Sequence, residues 1–333
     1  MSKNLFFCAL AILLIVFSAG AMAVEVKKEE VKTVAFKVGG TVHLSALEGN
    51  MVVQGWDRDE VQIRMVKRAW GRSEREAQAL LDAIEVVIRE GNDRLMIRET
   101  PSEGQRRHTI FDVFDRDFWE ERGWRSQVVD FELRVPRHVQ LRLEGDEGDV
   151  ELSQLQGKIS VEMDEGDIHV DSVETDDLEI RIDEGDVSVN GCRDVGGGLL
   201  KIDADEGRIR IENCRFDEMD LASDEGDLIL TEVTVRRLWL TADEGDVEAD
   251  FQPVKNGNYR IEVEEGDIEL VLAESPELDV KLMAREGQID SDFRVRVRDL
   301  DDGSVMEGQL GGNANGQLKA VTDEGDILIR MRR

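Results

Sequence analysis

The chain has 333 residues, with 74 Asp plus Glu against 42 Lys plus Arg, a formal net charge of -32. So acidic a surface repels a phosphate backbone, which argues against nucleic acid as a partner. A hydrophobic fraction of 41% with 30 Gly and only 4 Pro describes a folding chain, not a disordered, proline-rich one.

Residues 1–23 carry one early cation, Lys3, then an apolar run from Leu5 to Phe17, then Ala21-Met22-Ala23. A positive start, a short apolar stretch and small residues at the -3 and -1 positions predict a cleaved secretory signal. Cys8 lies inside the apolar run and not at its end, so lipoprotein cleavage is not supported. No second long apolar stretch follows, so the mature chain is expected without a transmembrane segment, in the periplasm or outside the cell.

Residues 24–140 predict an N-terminal β-rich capping region with one helix. Alternating strands cover 33–68, with a turn near Glu48-Gly49-Asn50. Ser73 followed by Glu76 forms a capping box, and Ala77, Leu80, Leu81 and Ile84 give the helix one apolar face. Val86 to Arg98 reads as a hairpin around Gly91-Asn92. Residues 100–126 are polar except for Phe111, Phe114, Phe118, Trp119 and Trp124, which suit either a loop pinned onto the cap or an amphipathic docking segment.

Charge marks the boundary that follows. Residues 1–140 hold 22 acids and 21 bases, whereas 141–333 hold 52 acids and 21 bases. Within 141–333 an acidic glycine turn recurs at Gly148, Gly166, Gly185, Gly207, Gly226, Gly245, Gly266, Gly287 and Gly325. The last interval, 38 residues, reads as two repeats, with Gly308 as a degenerate tenth copy. Aligned on glycine, apolar residues occupy the positions seven and five before and two and four after, as in Leu178, Ile180, Val187 and Val189 around Gly185. Period two on both sides of a bend means two short strands per repeat, and a unit this small must stack to bury its apolar face. The expected fold class is all-β: a β-solenoid, parallel β-helix-like, of about ten short repeats, preceded by the small β-rich region with one helix.

Cys192 and Cys214 each stand seven residues after a repeat glycine, which places them facing inward on adjacent rungs. They are either small core residues or a bridge between rungs.

Three columns at the bend are almost entirely acidic. Glu precedes every glycine, and the two flanking columns bring the total to 24 acids in 27 places. The candidate metal ligands are Asp146, Glu147, Asp149, Asp164, Glu165, Asp167, Asp183, Glu184 and Asp186, then Asp224, Glu225, Asp227, Asp243, Glu244, Asp246, Glu264, Glu265 and Asp267. Stacking spaces each column at about 4.8 Å, where a like-charge pair costs about 1 kcal/mol in water and more where water is excluded. Divalent cations would relieve this. Ca2+ is the candidate, since it takes six to eight oxygens in irregular geometry, while Mg2+ is stricter and Zn2+ lacks its His and Cys ligands. His169, alone on its strand, reads as an exposed residue. The plain alternative is a solvated acidic edge, with Gly and Asp serving the bend and Glu solubility. Arg208, Arg285 and Gln288 interrupt the columns and predict weaker sites beside them.

The repeated Gly-Asp-(Val/Ile) strands, with Glu48-Gly49-Asn50-Met51-Val52-Val53-Gln54-Gly55-Trp56-Asp57 and Arg134-Val135-Pro136 before them, resemble the bacterial putative-adhesin family of unknown function. The resemblance implies an envelope protein with a solenoid-like repeat region and carries no catalytic residues. Where that family usually has Ser or Thr before Gly-Asp, this chain has Asp-Glu in most copies, so the acidic columns are its own feature.

An enzyme needs one differentiated site, and here the acids repeat uniformly. The expectation is therefore a non-enzymatic exported cell-envelope protein, serving adhesion or scaffolding through Ca2+ or a cationic surface. The alternatives are a polysaccharide-active β-helix enzyme and a periplasmic partner of a basic protein.

Overall fold

The computed structural model describes residues 23–91, 93–100, 127–312 and 314–332. Apart from Ala23, the signal segment lies outside them, as do Asn92 and the aromatic cluster from Phe111 to Trp124. No helix among the described residues is long and apolar enough to cross a membrane. The chain divides into two compact units, Met1–Asp149 and Val150–Arg333.

The first unit contains β1 (Val24–Ala35), β2 (Thr41–Glu48), β3 (Met51–Trp56), β4 (Glu60–Gly71), α1 (Glu74–Ala83), β5 (Glu85–Glu90), β6 (Arg94–Thr100), β7 (Gln127–Pro136) and β8 (Gln140–Glu147). Strands β1, β4 and β7 form an antiparallel set, and β5 closes antiparallel on β6. Strand β2 pairs in parallel with both β6 and β8, and β3 pairs in parallel with β7. Helix α1 starts where the capping pattern placed it: the Ser73 hydroxyl accepts the Glu76 N–H. The Glu76 carboxylate reaches back to the Arg72 N–H at 2.8 Å, one residue earlier than a standard box. Ala77 and Leu81 are buried beneath it, while Leu80 is only half-buried.

The second unit is built from β9 (Val150–Ser153), β10 (Ile159–Glu165), β11 (Ile168–Asp171), β12 (Glu174–Glu184), β13 (Val187–Asn190), β14 (Arg193–Glu206), β15 (Ile209–Glu212), β16 (Arg215–Glu225), β17 (Leu228–Glu244) and β18 (Val247–Glu265). It continues with β19 (Ile268–Leu272), β20 (Leu278–Glu286), β21 (Ile289–Ser291), β22 (Val297–Asp299), β23 (Ser304–Leu310), β24 (Gly316–Glu324) and β25 (Ile327–Met331). Each repeat supplies one strand before its glycine and one after it. The strands before glycine pair in parallel, β10 with β12, β12 with β14, β14 with β16, and β16 with the latter half of β17. The strands after glycine do the same, β9 with β11, β11 with β13, and β13 with β15. The period-two columns become interior ladders: Ile180, Ile202, Leu221, Leu240 and Ile261 stack in register and are buried. At roughly 1.5–3 kcal/mol for each fully buried aliphatic side chain, these ladders outweigh the repulsion of an exposed bend.

Longer intervals are local loops that leave the register intact. In β14, residues between Arg193 and Leu199 bulge outward, with the Asp194 carboxylate accepting the Gly197 and Gly198 N–H groups.

The C-terminal repeats depart from chain order. Gly308 is not a tenth bend: it lies in β23, which runs antiparallel to β20 and pairs Gly308 with Val280. The chain crosses from β20 through β21 and β22 to β23, then returns so that β24 lies between β18 and β20, parallel to both. In the same way β25 lies between β19 and β21. The spatial order of bends is therefore Gly266, Gly325, Gly287.

Candidate functional site

The bend begins with its glycine. Gly226 has φ 141°, and a Cβ placed on it would overlap the carbonyl oxygen of Gly207 on the neighbouring coil. Both the left-handed backbone and the close coil-to-coil approach require glycine there. The Gly226 N–H donates to the Glu244 carbonyl at 2.9 Å, and the same bond recurs from Gly207 to Glu225 and from Gly185 to Glu206. Glycines so tied hold the flanking acids in rows.

The Asp following glycine has a structural task. Asp167 Oδ1 accepts the Asp186 N–H at 3.0 Å, and Asp186 Oδ1 accepts the Arg208 N–H at 2.9 Å. The relation continues from Asp227 to Asp246, Asp246 to Asp267, Asp267 to Asp326, and Asp326 to Gln288. Each carboxylate satisfies an amide that the bend would otherwise leave to water. Arg208 has no carboxylate to offer, so the ladder breaks at that coil, and its guanidinium lies 3.6 Å from Asp227 instead.

The first unit carries the same device. Gly49 is a further bend: Val42 and Leu44 pair with Leu141 and Leu143, and Glu48 pairs with Glu147. Asn50 takes the Asp position, its Oδ1 accepting the Asp149 N–H at 3.1 Å, and Asp130 Oδ1 accepts the Asn50 N–H at 3.2 Å. Asn50 and Asp130 were not among the candidates. Gly49 has Val42, Leu44, Met51 and Val53 in the four apolar columns and Glu48 before it, so the pattern could have found Asn50. Asp130 belongs to no recognisable bend in the sequence.

The Glu column is brought into one row in the second unit. Glu165, Glu184, Glu206, Glu225, Glu244, Glu265, Glu324 and Glu286 are successive register partners, and all are exposed. The column two before glycine runs beside it. There the Asp205 carboxyl is held above its usual range by partial desolvation, then by Asp183, Asp224 and Asp203. Burial, Asp183 and Glu162 do the same to Asp164. The cations that reach this edge bond to Asp: Arg285 pairs with Asp323 at 2.7 Å, across the swapped coil, as Arg208 approaches Asp227. Elsewhere bases neutralise acids on the strands, with Arg236 on Asp217, Arg237 on Glu218 and Lys319 on Glu262.

Among the described residues, no three His, Cys, Asp or Glu side chains converge on a common metal position. The acids are gathered into rows by backbone register, and within the rows each Glu side chain stands at its own coil. His169 is exposed, as expected.

One acid was missed altogether. Glu99, on β6, is 7% exposed, and its carboxylate accepts the Leu47 N–H at 3.0 Å. Burial, only partly offset by the Leu47 and Glu48 N–H groups and reinforced by the Glu48 and Asp146 charges, raises it to about 7. Its alternation with the buried Leu95 and Ile97 is the signal that places it inward.

Similar solved structures include a "putative adhesin" from Bacteroides fragilis, 11% identical, covering 91% of this chain and 97% of that one at TM-score 0.38. A "putative adhesin" from Parabacteroides distasonis is 9% identical with the same coverages and TM-score 0.38. A "putative lipid binding protein" from the same organism is 11% identical, covering 91% of this chain and 96% of that one at TM-score 0.33. No curated protein matches. The Toastrack DUF4097 family matches residues 129–197 and 170–330, more than half of the sequence, and the chain belongs to that family.

Proposed function

We propose that this is an exported, non-enzymatic cell-envelope protein whose acidic edge engages Ca2+ or a cationic surface, in adhesion or scaffolding. In this reading the second unit is a β-solenoid and its bends form one binding edge. The observation that carries it is the Glu row: eight register-matched, exposed carboxylates, while the nearby cations Arg208 and Arg285 bond to Asp. The Asp ladder accounts for the acid after glycine, but hydrogen bonding of the bend gives no reason for Glu at every copy.

Exposed Glu side chains on neighbouring coils can rotate to share one ion, and Ca2+ tolerates the irregular ligand set this produces. Asp146, Glu147 and Asp149 are the candidates in the first unit, and Asp164, Glu165, Asp167, Asp183, Glu184 and Asp186 are those of the second unit ahead of Arg208. Asp224, Glu225, Asp227, Asp243, Glu244, Asp246, Glu264, Glu265 and Asp267 supply them beyond the Arg208 break. Uniform repetition supports binding over catalysis, and the leader-like residues 1–23 support export.

The test is thermal melting of the chain from Val24 onward, in EDTA and then with Ca2+ or Mg2+, against NaCl at matched ionic strength. A midpoint raised by Ca2+ well beyond the salt control supports a cation site. Equal shifts in Ca2+ and NaCl overturn it and leave general charge screening.

A further inference from the structure

The second bend of each coil, opposite in the sequence repeat to the acidic one, places two thiols together. Gly191 and Asn213 adopt left-handed conformations, φ 63° and 54°, and each is followed by a buried cysteine. The Arg215 N–H donates to the Cys192 carbonyl and the Thr234 N–H to the Cys214 carbonyl, both at 2.9 Å, so consecutive bends stack directly. Arg193 and Arg215, the next residues, are register partners. Cys192 and Cys214 therefore sit one strand spacing apart, about 4.8 Å, inside the Cα separation of roughly 4.4–6.8 Å that a disulfide spans. The Cys192 N–H donates to Cys214 Sγ at 3.4 Å, and each thiol donates to the carbonyl two residues before it, Cys192 to Asn190 at 3.3 Å and Cys214 to Glu212 at 3.1 Å. The same column holds Leu155, Val173 and Val233 on other coils, all buried, so the core at this corner is otherwise apolar.

We propose that Cys192 and Cys214 are a cross-linking site, converted by a disulfide oxidant into a covalent staple between adjacent coils. The order of attack follows from their surroundings. Cys214 Sγ accepts the Cys192 N–H, a bond that favours its thiolate and makes it the first nucleophile. The Cys214 thiolate attacks one sulfur of the oxidant RS–SR, forming a mixed disulfide and releasing RS−. Cys192, once deprotonated, attacks Cys214 Sγ and displaces the second RS−. Two protein thiols lose two electrons and two protons, and RS–SR becomes two RSH. Since both thiols are almost fully buried, the first attack waits on opening of the bend, and mild denaturant accelerates it. The exported location proposed above would supply such an oxidant, but the chemistry belongs to the fold and is tested separately from the acidic edge.

The experiment treats the reduced chain from Val24 onward with oxidised glutathione, in buffer and in sub-denaturing urea, then quenches with an alkylating agent. Intact mass and non-reducing peptide mapping give the readout. The expected product is lighter by two hydrogens, joins the peptides holding Cys192 and Cys214, takes up no alkylating agent, and melts several degrees higher than the reduced form. Cys192→Ser should stop at the glutathione adduct of Cys214 or remain unreacted, with no intramolecular link. Recovery of two alkylated cysteines, or of stable glutathione adducts on the wild-type chain after prolonged exposure in urea, overturns the proposal. Because that readout is on the wild-type protein, a misfolded variant does not protect it.

Discussion

The Asp246 carboxylate accepts the backbone N–H of Asp267 on the next coil at 2.9 Å. The acid after glycine therefore works as a hydrogen-bond acceptor first and a charge second. Asp246→Ala should lose about 1 kcal/mol, the usual net worth of such a bond. Asp246→Asn keeps an oxygen in place and should stay within about 0.5 kcal/mol of wild type. Urea denaturation measures both, and equal losses in the two variants would show that the bond is not the reason for Asp.

Two glycines separate conformational strain from crowding. Gly226→Ala must bear both a left-handed φ and a clash with the Gly207 carbonyl, and should cost about 3 kcal/mol or more. Gly196 also has positive φ, 128°, but nothing lies within 4 Å of its added Cβ. Gly196→Ala should cost only about 1 kcal/mol. Similar losses at the two sites would refute close coil approach as the cause.

Glu99 gives the stability a definite pH window. Below its unfolded value near 4.5 the carboxyl is protonated in both states and costs nothing. Between 4.5 and about 7 the unfolded chain ionises while the folded one keeps its proton, so stability falls as pH rises. The loss approaches about 3 kcal/mol above pH 7. Glu99→Gln keeps an acceptor for the Leu47 N–H and removes the ionisation. Its stability relative to wild type should rise by that amount between pH 4 and 8; a pH-independent difference would disprove the effect.

The columns were readable because each rests on a local rule: period two for the strands, left-handed backbone for glycine, and Ser73 with Glu76 for the helix start. Order was not readable. Every coil presents the same ladder to both neighbours, so nothing in the residues around Gly325 says which gap it fills. Gly308 deceived through Glu307-Gly308-Gln309, yet Asp301 and Gly303 stand at its seventh and fifth preceding positions, where a true bend needs apolar residues. Gly49 shows the converse, with Val42, Leu44, Met51 and Val53 fulfilling every apolar column. The Asp ladder was invisible because it depends on the direction of side chains between coils.

Repulsion along the acidic edge is open to direct measurement. Asp205 is flanked by Asp183 and Asp224, so Asp205→Asn should raise the melting midpoint at pH 7 in low salt. The gain should shrink as NaCl shortens the Debye length. An unchanged or lowered midpoint in low salt would mean that the row is already relieved without added ions.

Deleting residues 311–333 removes β24 and β25, which lie between strands that remain. The loss should therefore exceed that of an end coil, leaving β20 to β23 susceptible to limited proteolysis while β9 to β18 keep their protection. A truncated chain as resistant as wild type throughout would contradict the swapped arrangement.

The exchange of the last two coils also sets a timetable for synthesis. Early coils can dock as soon as they emerge, each on its predecessor, but the segment ending at Glu286 has no permanent seat until β24 and β25 wedge in like a keystone. Completion thus waits until β24 and β25 have been made, whatever order the earlier coils docked in.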